Sequence, residues 1–203
     1  MTLPSPRSVH AFWFGDITDE AQCAQRNYAR WFERGRELDE PVRERFAALL
    51  AVAARGEADD WQATPHGALA LVLVLDQFPR HIHRGGALAF ATDDRARAVC
   101  ESGIAAGLDA SLLHLERSFF YLPLEHAEDP AAQEMCVRLA QQLAASCVPG
   151  LRPIMDEGVR YACQHRDTIA RFGRFPHRNA ALGRDTTPEE AQYLEQGAQR
   201  YGQ

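Results

Sequence analysis

Three short stretches of the chain concentrate residues that can move protons or hold charge. The first, Asp76-Gln77-Phe78-Pro79-Arg80-His81-Ile82-His83-Arg84, follows directly on the most apolar run of the chain, 68–75. A buried helix that ends in Asp, Arg and two His sets polar groups at the edge of its own core. Cations at a helix C-terminus satisfy free carbonyls and the macrodipole, which accounts for Arg80 and His81 as a cap. It does not account for Asp76, whose carboxylate opposes the dipole and needs a cationic partner. Asp76 and Arg80 are therefore candidate ligand-binding residues.

The second stretch is Leu124-Glu125-His126-Ala127-Glu128-Asp129, just past Pro123. Proline breaks a helix and re-aims the side chains around it. Glu125, His126 and Glu128 can form a general-base pair or offer metal ligands; alternatively a His–Glu hydrogen bond simply holds a helix junction. Their spacing matches no metal motif, so no metal is assigned to them. The third stretch, Arg171-Phe172-Gly173-Arg174-Phe175-Pro176-His177-Arg178-Asn179 with Gly183-Arg184 beyond it, reads as a loop carrying four basic or imidazole side chains. Guanidinium forks bind phosphate or carboxylate with two parallel hydrogen bonds. The same forks can instead pair internally with Asp76, Glu125 or Glu128 and tie the loop down. Arg174, Arg178 and Arg184 join the ligand-binding candidates with Glu125 and Glu128. His126 and His177 are the acid–base candidates, because imidazole titrates near neutrality.

The elements that must position these residues are helices. Four times a capping residue is followed directly by proline: Ser5-Pro6, Thr64-Pro65, Asp129-Pro130 and Thr187-Pro188. Ser, Thr and Asp accept hydrogen bonds from the free N–H groups of a first turn, and proline next to them gives up an N–H that had no partner. Glu190, three residues after Thr187, completes a capping box. Between these starts the apolar spacing predicts about nine helices. They run from Pro6 to Phe14, after Thr18, and after Asp39 with Val42, Phe46, Leu49, Leu50 and Ala53 on one stripe. Further helices start at Pro65, near Thr92 or Asp93, and at Ser111, the last reaching His126 with a break at Pro123. The remaining three start at Pro130, Pro153 and Pro188. No Asn-Gly type hairpin, linker or clear internal repeat appears, so the expectation is a single all-α domain over 1–203.

Composition sets the outer limits. The chain has 203 residues, 46% hydrophobic and 25% charged, which suffices for a core without disulfides or structural metal. Five cysteines, with no CxxC spacing, point to reduced thiols in a cytoplasmic protein. A net charge of −6 argues against a nucleic acid or an anionic membrane as partner. All 22 basic residues are arginine. The longest apolar run is eight residues, where a membrane span needs about 20. Residues 1–7 show no basic stretch leading into an apolar one, as a secretory signal would. No phosphate-binding loop, dinucleotide fingerprint, serine-hydrolase elbow or zinc-protease motif is present.

The chemistry-bearing blocks also form a pattern. Phe12-Trp13-Phe14-Gly15 comes first, then Asp76 to Arg80, then Phe120-Tyr121-Leu122-Pro123 with Glu125-His126-Ala127-Glu128. Phe172 to Asn179 with Leu182-Gly183-Arg184 closes the series. In that order, over essentially the whole chain, the sequence resembles the bacterial domain of unknown function 924 family. His81 stands where that family's pattern has Asn, and Ala127 where it has Ser. The resemblance implies an all-helical, tetratricopeptide-like right-handed arrangement of antiparallel helix pairs, and it brings no activity with it. Two functional expectations follow. The first is a pocket, lined by Arg, His and Asp, for a small phosphate- or carboxylate-bearing ligand. The second is a helical scaffold that holds a peptide or partner protein in an open groove. No motif fixes a reaction, a cofactor or an oligomeric state.

Overall fold

The computed structural model describes residues 3–33 and 35–196. In chain order its helices are α1 (Pro6–Phe14), α2 (Glu20–Tyr28), α3 (Asp39–Ala54), α4 (Pro65–Val72), α5 (Phe78–Ile82) and α6 (Asp93–Ala105). Then come α7 (His114–Phe120), α8 (Leu122–Glu125), α9 (Pro130–Ser146), α10 (Arg152–Phe172), α11 (Asn179–Leu182) and α12 (Pro188–Glu195). No described residue lies in a strand, and the fold is all-α.

All four proline-marked starts form, each through the hydrogen bond its cap residue supplies. Ser5 Oγ accepts from Ser8 N–H at 3.3 Å and Thr64 Oγ1 from Gly67 N–H at 3.2 Å. Asp129 Oδ1 accepts from Ala131 N–H at 2.8 Å. Thr187 and Glu190 close the reciprocal box, Thr187 N–H donating to Glu190 Oε2 at 2.8 Å. Three starts differ from the sequence reading: the helix expected from Ser111 begins at His114, after a 3₁₀ turn over Leu108–Ser111. Asp19, one residue after Thr18, caps α2 by accepting from Gln22 N–H at 2.8 Å. Thr92 precedes α6 without capping it, because its hydroxyl is used elsewhere. At the far end of α10, Gly173 takes the left-handed conformation (φ 68°) in which a Cβ would be strained, and its N–H closes the helix on the Ile169 carbonyl.

The run 68–75 is a helix at the centre of the molecule and not a strand. Every residue from Gly67 to Asp76 is buried. α1, α6 and α7 pack on α4, and α3 packs on α5. Phe12, Trp13, Phe46 and Phe78 interlock there, with Phe46 and Phe78 ring centroids 4.6 Å apart. Such rings contribute about 0.5–1.5 kcal/mol per pair beyond their burial. Gly67 is required by contact: a Cβ there would lie 2.1 Å from the Trp61 carbonyl oxygen.

The central rod changes geometry at the site. Between α4 and α5, residues Leu73–Gln77 form a π-helical turn, with Phe78 N–H bonded back to the Leu73 carbonyl. Pro79 explains the need for it. Lacking an N–H, Pro79 cannot satisfy the Leu75 carbonyl, and Thr92 Oγ1 donates to that oxygen instead, at 2.5 Å. Single π turns inside α-helices mark places where a side chain is re-aimed, and here the side chain is Asp76. The second break comes where proline predicts it: α7 stops at Phe120 and α8 restarts with Pro123 in its first turn. α9 and α10, joined by residues 147–151, make the most extensive helix–helix contact and form an antiparallel hairpin. The segment read as a loop after Gly173 holds a 3₁₀ turn, Pro176–Arg178, and the short α11. No helix among the described residues is long and apolar enough to cross a membrane.

Candidate functional site

Asp76, aimed by the π turn, is fully buried yet carries three polar neighbours. His126 Nδ1 lies 2.8 Å from its Oδ1 and 3.0 Å from its Oδ2. Gln77 Nε2 donates to Oδ2 at 2.6 Å, and Arg80 Nη2 sits 3.4 Å from Oδ1. Burial alone would raise this carboxyl, but the charges of Arg80 and His126 with the His126 and Gln77 hydrogen bonds outweigh it and hold the acid well below its ordinary range. Asp76 is therefore an acceptor, and His126 carries its proton on Nδ1. The Nε2 atom keeps its lone pair, and no described residue hydrogen-bonds to it. Burial, and then the charge of Arg80, depress the His126 pKa below its ordinary value, which favours the neutral ring.

Arg80 links this pair to the start of α6. Its Nη1 donates to the Asp76 carbonyl at 2.5 Å and to Asp93 Oδ1 at 2.9 Å, while Nη2 reaches Asp93 Oδ2 at 3.1 Å. Arg178 Nη1 donates to that same Oδ2 at 3.2 Å. The Arg178 guanidinium lies over Phe90 at 4.6 Å and Phe175 at 4.7 Å. Its burial and the neighbouring Arg80 charge lower its pKa to about 10. Its Nε–H is buried with no acceptor among the described residues, which is uncommon for so polar a group. Two guanidiniums thus face two carboxylates, Asp93 bridging Arg80 and Arg178.

A cleft of about 390 Å³ opens over this network. Phe90, Asp93, Arg97, His126, Glu128 and Arg178 line it, with Pro123, Ala127 and Leu182 among the apolar walls. Its volume is that of small-molecule sites. Of the residues singled out from sequence, His126, Glu128 and Arg178 line the cleft, and Asp76 and Arg80 hold them from beneath. Glu125 turns away toward α10, its Oε1 3.4 Å from His165 Nδ1. Burial, then the charge of Asp76, raise its pKa to about 8. His177 packs against Phe175, ring centroids 5.6 Å apart. Burial, then the charge of Arg178, press its pKa down to about 3. Arg174 and Arg184 close on acids of their own. Arg174 takes Glu190 bidentately, at 2.7 and 2.9 Å, and Arg184 takes Glu128, at 2.7 and 3.0 Å.

Sequence reasoning missed Asp93, Arg97 and Phe90. Thr92-Asp93-Asp94 reads as an ordinary helix start, since acids in a first turn suit the dipole. The one local signal was Asp93 at that start, which could have been read as an anchor for Arg80. Among the described residues the cleft brings no three His, Cys or carboxylate groups within reach of one metal ion.

The chemistry open to this arrangement is proton transfer. A buried carboxylate fixes an imidazole tautomer and stabilises the imidazolium, while the ring itself lines the cleft. The fold and these blocks together define an all-helical bacterial family. The chain belongs to it: the model described as "Bacterial protein of unknown function (DUF924)" matches residues 9–198. The chain is also similar to a solved structure, that of the protein of unknown function ATU0120 from Agrobacterium tumefaciens. The two are 41% identical with a TM-score of 0.76, over 93% of this chain and 99% of that one. Comparison with curated proteins finds no match.

Proposed function

We propose that the cleft binds a small polar ligand bearing a phosphate or carboxylate, and that His126 acts on it as a general base. The observation that carries this reading is the Asp76–His126 pair, with His126 lining the cleft and its Nε2 unbonded among the described residues. Arg178, with its unsatisfied Nε–H, supplies the charge for the anionic group, and Arg97 stands at the rim. Asp93 competes for Arg178, so a ligand enters by sharing or displacing that carboxylate. Arg80 is a positioning residue that holds Asp76 and Asp93 in place. In this reading Arg174 and Arg184 tie down the loop, and His177 and Glu125 shape the surroundings of His126. The five unpaired thiols support a reducing, cytoplasmic setting.

The competing reading is a tetratricopeptide-like scaffold with a peptide groove. The α9–α10 hairpin is on its side. Against it, repeats in such arrays contact their neighbours only, whereas α4 is enclosed by α1, α6 and α7. The deciding experiment is an NMR titration of the histidine ring resonances with a panel of small phosphate esters and carboxylates. The pocket reading expects at least one compound to shift His126, with binding at least tenfold weaker in Arg178→Lys and Arg97→Gln. No response of His126 to any compound, or equal binding in both variants, overturns it.

A further inference from the structure

Far from the cleft, three helices bring together a second set of polar groups. His66 stands in the first turn of α4, ten residues before Asp76, a separation of about 15 Å along a helix. Beside it lie His10 of α1 and Glu116 of α7. His10 Nε2 is 2.5 Å and His66 Nε2 3.4 Å from the same oxygen, Glu116 Oε1. One ligand atom from each of the three lies within 4.8 Å of the other two.

Glu116 is an unusual carboxylate to find here, its side chain only 2% exposed. Its second oxygen accepts from Leu113 N–H at 2.8 Å, which fixes the orientation of the group. Burial would raise its pKa, but the His10 hydrogen bond, the Leu113 N–H and the two imidazoles outweigh that and keep it below the ordinary range. His66 is 60% exposed, so the cluster opens to solvent on one side. The His10 and His66 rings meet edge to face, centroids 5.5 Å apart. One hydrogen bond from His10 would satisfy Glu116 Oε1. A second imidazole nitrogen at the same oxygen adds no bond of good length, yet it completes a set of metal-binding donors.

We propose that His10 Nε2, His66 Nε2 and a Glu116 oxygen bind one divalent transition-metal ion of the zinc class. Two imidazoles with one carboxylate suit Zn²⁺ and its neighbours, whereas Mg²⁺ and Ca²⁺ require oxygen donors throughout. Metal–ligand bonds of about 2.0–2.1 Å put donor atoms up to about 4.2 Å apart. A small rotation of exposed His66 and separation of His10 from Glu116 bring the three donors into that range. The Leu113 N–H bond supplies the outer hydrogen bond that orients a ligating carboxylate. Three protein ligands leave at least one position, on the exposed side, for water or a further ligand. No local spacing reveals this site, because its donors lie on three separate helices, α1, α4 and α7.

The test uses the full chain after dialysis against a chelator. Zinc chloride is titrated by calorimetry, and cobalt(II) by visible absorption. One ion per chain is expected, with cobalt bands of a nitrogen- and oxygen-ligated ion, no thiolate charge-transfer band, and a raised Tm. His66→Ala removes an exposed side chain and is expected to fold as the wild type, yet bind zinc at least tenfold more weakly. Glu116→Gln keeps the Leu113 hydrogen bond and removes the charge, with the same loss. His83→Ala is expected to leave affinity unchanged. The absence of 1:1 binding, unchanged affinity in His66→Ala, or a thiolate band placing cobalt on cysteine each overturns the proposal.

Discussion

Around Asp76 and along the C-terminal loop the molecule uses the same residue types in opposite ways. Two forks of the loop are closed: Arg174 holds both oxygens of Glu190, and Arg184 both oxygens of Glu128. Around Asp76 the acids are shared. Asp93 divides between Arg80 and Arg178, and Asp76 between Arg80 and His126. A closed fork spends its paired donors on one acid, and its value lies in joining two segments. A shared carboxylate can give up one partner and keep the other, and an imidazole with one nitrogen unbonded can take a proton. The difference separates arginines that fasten from groups that can react, although both sets look alike in sequence.

Removing the shared acid should have the largest effect. Asp76→Ala leaves Arg80 and His126 buried beside an empty position, and a loss of about 3–5 kcal/mol is expected in urea denaturation. A loss below about 1 kcal/mol would mean that Asp76 is no keystone and that the two regions are alike.

Glu125 sharpens the contrast through pH. Its folded-state pKa, about 8, lies above its ordinary 4.5, so the folded protein holds this proton more tightly than the unfolded chain. The stability it contributes is full below about 4.5 and is lost as pH rises through 8. The slope is at most about 1.4 kcal/mol per pH unit. Glu125→Gln mimics the protonated acid and should escape that loss. Its stability relative to the wild type is expected to grow between pH 5 and pH 8. A difference that stays flat across that range would place Glu125 in contact with water.

The smallest effect is expected at the closed forks. Arg184→Ala should cost about 1–2 kcal/mol in thermal unfolding, since Glu128 keeps its bond from Phe175 N–H. The His126 ring should respond to ligands as in the wild type. A loss of that response would move Arg184 into the site and erase the distinction between the regions.

What the sequence disclosed follows from how local each signal is. The Ser5, Thr64, Asp129 and Thr187 caps need only the next few residues, and all four formed where predicted. Pro123 broke its helix for the same reason. The Asp76–His126 pair spans fifty residues, so sequence could offer both members as candidates without joining them. Asp93 was hidden because a first-turn acid already has an explanation. Glu190 was read as a capping-box residue and is one, yet it also receives Arg174, a contact no spacing rule describes. The loop arginines read equally as ligand groups or as internal partners of Asp76, Glu125 or Glu128, because the sequence cannot show which acids come near them. The core was more legible than the cleft, since apolar periodicity reports burial and says nothing of which polar groups meet.

The π turn at Leu73–Gln77 has a consequence for how this chain can change over evolutionary time. It places one residue more in its turn than an α-helix would, inside an otherwise continuous rod. Upstream of it the rod is fitted to α1, α6 and α7; downstream it is fitted to α3. Deleting a single residue there would let the segment run on as plain α-helix with its two flanks near their present orientation, whereas a deletion elsewhere in the rod would rotate everything beyond it by about 100°. Asp76 alone would lose the aim toward His126 that the extra residue gives it. The surplus residue thus turns one carboxylate without disturbing the packing of either neighbourhood, so that a one-residue deletion in this rod is best accommodated within 73–77.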